Sequence, residues 1–268
     1  MPYKQLLTFI IISLTLMGCS FNKETNKITN EQIIETTQSP SQTAINKEKL
    51  SQTTYRFDPQ TSLIVPKDNS VSEKVVLLTF DDTPDGHAME IAKALKERNV
   101  SAMFLVNGHF LETEEQKQII KDIYNMGFMI GNHTYHHPYL NQLNKEQQRE
   151  EIVPLNDIVE DITGERPTFF RPPFGVYDEI TNEIVHQEGM HLMMWSFGYD
   201  WQADYQSPEK LTEITLNTPY LGNGSNILMH DRSWTAEAIG AIVDGLKEKG
   251  FQIVDPYSIE PYQNGGSQ

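Results

Sequence analysis

At 268 residues the chain is long enough for one large domain or two small ones, and its 38% hydrophobic content suffices for a substantial core. A net charge of -16 excludes nucleic acid as a partner, because that partner selects basic surfaces. The single cysteine, Cys19, excludes an intramolecular disulfide.

Residues 6–17 form an apolar run behind Lys4, shorter than the roughly 20 residues of a membrane-spanning helix, and this length and flank read as the core of a signal peptide. The run ends in Leu16, Met17, Gly18 and Cys19. This resembles the lipobox of bacterial lipoproteins, with Met17 bulkier than the residue usual there; an ordinary secretory signal is the alternative. The resemblance implies a signal peptide over residues 1–18, a lipid on Cys19 as the sole membrane attachment, and an extracytoplasmic, lipid-anchored location at the bacterial cell membrane. Residues 19–70 are dominated by Asn, Thr, Gln, Ser, Lys and Glu. Such a stretch buries too little apolar surface to order itself and is expected to be a disordered tether, with Tyr55–Val65 a candidate first strand packed on the domain.

From Val75 onward, short apolar runs alternate with amphipathic stretches. Seven candidate strands start at Val75 (VVLLTF), Ser101 (SAMFLV), Phe128 (FMIGNH), Thr168 (TFFRPP), His191 (HLMMWS), Asn226 (NILMHD) and Phe251 (FQIVDP). Helices are expected over 88–98, 112–125, 145–163, 178–188, 208–217 and 235–249. Ile152, Leu155, Ile158 or Val159, and Ile162 recur at helical spacing in the third, where Pro154 is expected to kink or interrupt the early turns. Strand and helix in regular alternation make this an α/β domain over residues 71–260, a distorted barrel of about seven parallel strands, followed by a tail over 261–268.

Reactive side chains fall at the ends of these runs. Asp81 and Asp82 follow the first, His133 closes the third, Arg171 ends the fourth, Asp200 lies beyond the fifth and His230 ends the sixth. In a parallel barrel all carboxyl ends share one face, so residues 150 positions apart converge there. The four-residue spacing of His133 and His137 suits a metal site, and equally a surface loop rich in histidine. Adjacent aspartates read either as charge at the start of the next helix or as a cation ligand beside a proton acceptor. Arg171 is a surface arginine or the partner of a carboxylate at the barrel mouth; His230 is a core histidine or a proton donor.

TFDD from Thr79, HTYHHP from His133, RPPFG from Arg171, the Asp200-Trp201 pair and LMH from Leu228 resemble, in order and spacing, the five motifs of the NodB-like polysaccharide deacetylases, carbohydrate esterase family four. The resemblance spans about Lys74–Tyr257 and implies the NodB homology fold, a distorted barrel. Carried over by motif, it implies Asp81 as general base, Asp82, His133 and His137 as metal ligands, and Arg171 as the residue orienting Asp81. The backbone N–H near Phe174 would stabilise an oxyanion, His230 would be the general acid, Asp200 would hold and charge it, and Trp201 and Leu228 would line the pocket for an acetyl methyl group. Thr83 stands where the family usually has Gly, and the fourth motif is shorter than the common form.

The implied activity is metal-dependent hydrolysis of N-acetyl groups from a cell-wall polysaccharide, foremost the N-acetylglucosamine of peptidoglycan, by a monomer carrying one divalent ion, zinc first and cobalt or nickel as alternatives. Chitin oligomers, poly-N-acetylglucosamine and acetylxylan are alternative substrates; an inactive lipid-anchored glycan-binding protein is the alternative of another class. Tyr135, Tyr177, Trp195 and Trp234 are candidate sugar-stacking residues, whereas His87, His109, His136, His186 and His191 are assigned to structure or surface.

Overall fold

The structure, a computed structural model, describes residues 53–263. The signal peptide, most of the tether and the end of the tail lie outside the described residues. The chain enters through an antiparallel hairpin, β1 (Tyr55–Asp58) and β2 (Leu63–Pro66). The folded domain therefore begins before position 71: Tyr55, Phe57 and Ile64 are buried in the domain's own core, and this short apolar alternation outweighs the polar composition around it.

Then come β3 (Val75–Thr83), β4 (Met103–Val106), β5 (Met129–Asn132), β6 (Phe169–Phe170), β7 (His191–Leu192), β8 (Phe197–Gly198), β9 (Ser225–His230) and β10 (Gln252–Ile253). They form one eight-stranded sheet in the order β7-β6-β5-β4-β3-β9-β8, with β10 against the start of β3. Every pairing in it is parallel. All seven expected runs supply a strand. In HLMMWS only His191–Leu192 is strand, β7, and the rest of the run begins a link to an eighth strand, because β7 pairs with β6 while β8 pairs with β9 at the opposite edge. Leu192 and Phe197 are joined by a link reaching at most about 18 Å, so the sheet must curl until its edges face one another. The result is the expected distorted barrel.

Six helices cover the outside: α1 (Ala88–Glu97), α2 (Glu114–Asn125), α3 (Lys145–Thr163), α4 (Glu179–Gln187), α5 (Pro208–Asn217) and α6 (Ser233–Glu248). Capping boxes start three of them, built by Thr113 with Gln116, Asn144 with Gln147 and Asp178 with Thr181. Gly164, at φ +81°, ends α3 in the left-handed conformation that a side chain would penalise. Contrary to expectation, Pro154 lies inside an uninterrupted α3. Carbonyls in the turn before it are used by the strand side of the domain: Glu151 O accepts from Tyr135 N at 2.8 Å and Ile152 O from Asn132 Nδ2 at 2.8 Å. Among the described residues no helix is long and apolar enough to cross a membrane.

The sheet divides its side chains by strand alternation. Val76, Leu78 and Phe80 join Ile227, Met229 and the buried faces of α1, α2 and α6 in one cluster. Val75 and Leu77 point the other way, with Met103, Leu105, Met129, Phe169 and the hairpin's Phe57 and Ile64. His191 edges this second cluster: its ring lies against Phe57 and Phe169, and Nε2 donates to the Glu260 carbonyl. The hairpin thus closes an apolar interior. Phe57→Ala is expected to cost about 3–5 kcal/mol of stability, measured by denaturant unfolding; an unchanged midpoint would show that the hairpin merely rests on the surface.

Candidate active site

The phase that sends Val75 and Leu77 into the interior also sends Thr79 and Asp81 there, one and two steps closer to the carboxyl end. The parallel register extends this to the neighbours. Asp81 lies opposite His230 on β9, Thr79 opposite Leu228, and Asn132 on β5 opposite Phe170 on β6. His133 and Arg171 are the residues immediately beyond that last pair. Four short strands thereby deliver Asp81, His133, Arg171 and His230 to one end of one interior.

Asp82 reaches the same place by breaking the phase. Phe80 pairs with Phe104 and Thr83 with Val106, so β3 carries one residue more than β4 across this interval. Such a bulge re-aims side chains, and Asp82 takes φ +58° within it. Thr83 is fully buried and donates to Leu105 O at 3.1 Å, so the residue that replaces the usual Gly is tied into the sheet. Positive φ recurs at Thr134, His137 and Phe174. A side chain is strained in this region, and its concentration around one cleft marks a site whose geometry the surrounding fold enforces.

Arg171 is fully buried, and all five of its N–H donors are used. Nη1 donates to Asp81 Oδ1 at 2.7 Å and Thr79 Oγ1 at 2.9 Å, Nε to Met193 O at 3.3 Å, and Nη2 to Met194 O at 3.3 Å and Asn226 Oδ1 at 3.4 Å. The other Asp81 oxygen lies 3.6 Å from His133 Nε2.

The two histidines come from a turn rather than a helix. Asn132 Oδ1 accepts from Thr134 N at 2.8 Å, Thr134 Oγ1 accepts from His137 N at 3.1 Å, and Asn107 Nδ2 donates to the carbonyls of His133 and Thr134. This brings the imidazoles to 4.9 Å between ring centres. Because a carbonyl can only accept, the 2.7 Å contact of His133 Nδ1 with Arg171 O makes Nδ1 the donor and turns Nε2 toward the aspartates. Asp82 Oδ1 lies 3.8 Å from that nitrogen and 3.5 Å from His137 Nε2. Burial, reinforced by His133, pushes the His137 pKa down to about 4 against the pull of Asp82 and Asp81, so its imidazole is neutral at pH 7. Burial works to raise the Asp82 carboxyl, but His133, His230, His137 and Arg232 outweigh it and hold it below the ordinary carboxylate range. The ionised Asp82 carboxylate, the neutral His137 imidazole and the His133 Nε2, with ligand atoms within 4.8 Å of one another, fit a divalent cation.

On the other side stands His230. Its Nδ1 donates to Asp200 Oδ1 at 2.8 Å, while Asp200 Oδ2 accepts from His230 N at 2.5 Å and from Thr235 Oγ1 at 2.8 Å. Burial alone would lower the His230 pKa; the hydrogen bond and charge of Asp200 prevail and raise it. Asp82, His133, His137, Phe174, Trp201, Leu228, His230 and Asp81 all face a cleft of about 440 Å³, with Trp195 beside them. Arg171 and Asp200 lie buried behind it. Trp234 does not line the cleft but donates from Nε1 to Asp200 O at 2.9 Å, and Tyr135 packs over Gly108 at a point where a Cβ would collide with its ring. Tyr177 is exposed outside the lining, and none of the five histidines assigned to structure or surface enters it.

Several participants receive no role from the sequence. Thr79, although it opens the TFDD motif, and Asn226, which lies in no motif, share the interior phase with Asp81 and His230. Asp231 accepts from Asp85 N at 2.5 Å and His87 N at 2.6 Å, fastening the loop after β3, and Arg232 Nη2 donates to Asp82 Oδ2 at 2.8 Å.

A family model described as polysaccharide deacetylase matches residues 68–193. A Bacillus subtilis peptidoglycan-N-acetylmuramic acid deacetylase is 31% identical over 197 residues, 71% of this chain and 74% of that protein. The chain belongs to the polysaccharide deacetylase family. A Bacillus cereus peptidoglycan-N-acetylglucosamine deacetylase is 33% identical over 189 residues, covering 67% of this chain but only 66% of the relative. Among solved structures, a family 4 carbohydrate esterase pseudoenzyme from Bacillus anthracis superposes with a TM-score of 0.62 at 27% identity, over 68% of this chain and 64% of that one. The parallel, curled sheet described above is the fold of this family.

Removing one member of a buried ion pair leaves the other uncompensated. Arg171→Met is expected to destabilise the fold by about 3–5 kcal/mol, and adding Asp81→Asn in that background should restore part of the loss. Equal stability of wild type and Arg171→Met in urea unfolding would contradict the role assigned to the pair.

Proposed function

We propose that this chain is a hydrolase that removes N-acetyl groups from peptidoglycan, the N-acetylglucosamine residues first, using a divalent cation held by Asp82, His133 and His137. The observation that carries the reading is the placement of that triad between two proton-handling groups, Asp81 on one side and the Asp200–His230 pair on the other, around a single cleft.

A cation in the triad supplies Lewis-acid polarisation of an acyl oxygen and acidifies water in contact with it, and a set of two histidines and one carboxylate leaves positions open for both. Zinc is the first choice for these ligands, cobalt or nickel the alternatives. Asp81, oriented by Arg171, accepts the proton as water attacks the acetamide carbon. The backbone N–H of Phe174, in the turn after Pro172 and Pro173, is assigned to the developing oxyanion. His230, charged through Asp200, delivers its proton to the nitrogen as the carbon–nitrogen bond breaks. Acetate and a free amine result. Leu228 and Trp201 bound the space beside His230 and are assigned to the acetyl methyl group; Trp201 lies 5.4 Å from the His230 ring.

The names of the two Bacillus relatives support peptidoglycan as the substrate. The Bacillus anthracis neighbour is a pseudoenzyme, which makes a binding role the second reading; against it stands the full set of Asp81, Asp82, His133, His137, Arg171 and His230 in mutual contact or around one cleft. Anchoring by a lipid on Cys19 outside the cytoplasm belongs to the same proposal, supported by the apolar run and the Leu16–Cys19 sequence.

Acetate release by the purified full chain from peptidoglycan, chitin oligomers and acetylxylan, with and without zinc or cobalt, tests the reading. Metal-dependent release from peptidoglycan is expected, and its loss together with bound metal in His133→Ala. Release from chitin oligomers or acetylxylan alone would reassign the substrate, and no release from any of them with metal bound would favour the binding role.

A further inference from the structure

Among the described residues, Arg232 is the one arginine or lysine lining the cleft. Its guanidinium is about one-third exposed and bridges two carboxylates: Nη2 donates to Asp82 Oδ2 at 2.8 Å and Nη1 to Asp85 Oδ2 at 2.8 Å. Nη1 also donates to the Asp231 carbonyl at 2.9 Å, so the head group is fixed against its own backbone. The neighbouring Asp231 carboxylate holds the amides of Asp85 and His87. Two consecutive residues at the junction of β9 and α6 therefore clamp the loop after β3, one through its backbone and one through its acids.

This clamp divides the two oxygens of Asp82. Oδ1 faces His133 Nε2 and His137 Nε2, whereas Oδ2 is occupied by the guanidinium. A carboxylate with both oxygens free can grip a cation through two points; one whose second oxygen is committed to a guanidinium grips through one. The guanidinium also withdraws charge from the ligand and places a positive charge one carboxylate away from the cation, both of which weaken binding and leave the cation more electron-poor.

Building on the cation site proposed above, we propose that Arg232 is a positioning residue that holds Asp82 to one-oxygen ligation and so exchanges cation affinity for electrophilicity. A merely structural clamp makes the opposite prediction for affinity, since loosening a ligand weakens binding.

The test is a cobalt titration of metal-free full-length wild type, Arg232→Gln and Arg232→Lys, followed by visible absorption, with acetate release measured per bound cobalt. Arg232→Gln is expected to bind cobalt on the order of tenfold more tightly, to show a weaker d–d band as Asp82 ligates through both oxygens, and to release acetate more slowly. Arg232→Lys, which keeps the charge but loses the fork, should fall between. Weaker or unchanged affinity in Arg232→Gln with an unaltered band would overturn the proposal, and if that variant is unstable the same comparison on Arg232→Lys decides. Failure of wild type to bind cobalt at all would sink the cation site itself, a separate and recognisable result.

Discussion

The guanidinium of Arg171 sits where no water can reach it, inside a curled sheet, and the geometry of the cleft is organised around satisfying it. A buried charge needs a buried counter-charge and a partner for every donor. Asp81 supplies the charge; Thr79, Asn226 and the carbonyls of Met193 and Met194 supply the rest. These partners come from β3, β9 and the link between β7 and β8, so a single side chain ties both edges of the sheet to its middle. The same residue's carbonyl fixes the tautomer of His133. Its side chain thus holds the carboxylate proposed as proton acceptor, and its backbone orients an imidazole proposed as a cation ligand.

Around that pair the fold separates apolar from polar by position along the strands rather than by strand. At the hairpin end the interior holds Val75, Leu77, Met103 and Phe57; two residues further along the same phase it holds Thr79, Asp81 and Arg171. The transition takes about 7 Å of strand. Departures from regular structure cluster at the polar end: the bulge at Asp82 and the positive φ at Asp82, Thr134, His137 and Phe174. Regular pleating alone points alternate residues away from one another, so bringing Asp81, Asp82, His133 and His137 to a common space requires such breaks.

Much of this was legible in the sequence because helices and buried parallel strands have strong periods and short loops. The ends of α3 and α5 match their expected bounds, and each reactive residue lies where an apolar run stops. Other features left no local trace. The HLMMWS run reads as one strand, and only the pairing partners of Leu192 and Phe197 show that it crosses between sheet edges. Tyr55–Val65 reads as one strand, and only its internal pairing shows a hairpin, whose Tyr55, Phe57 and Ile64 fill the core. Pro154 stays within its helix because tertiary packing overrides a local preference. Trp234 and Tyr135 look like sugar-binding aromatics until the hydrogen bond to Asp200 and the packing on Gly108 are seen. Arg232 is beyond sequence reasoning: its significance lies in a contact 150 positions away.

The central claim is that these constraints converge on one cation site with Asp82, and not Asp81, as its carboxylate. Anomalous diffraction from crystals soaked in zinc tests it most directly. The account predicts one strong peak about 2.0–2.2 Å from an oxygen of Asp82 and from the Nε2 atoms of His133 and His137, with Asp81 still paired to Arg171. A peak ligated by Asp81 in place of Asp82, or none near the two histidines, would contradict it.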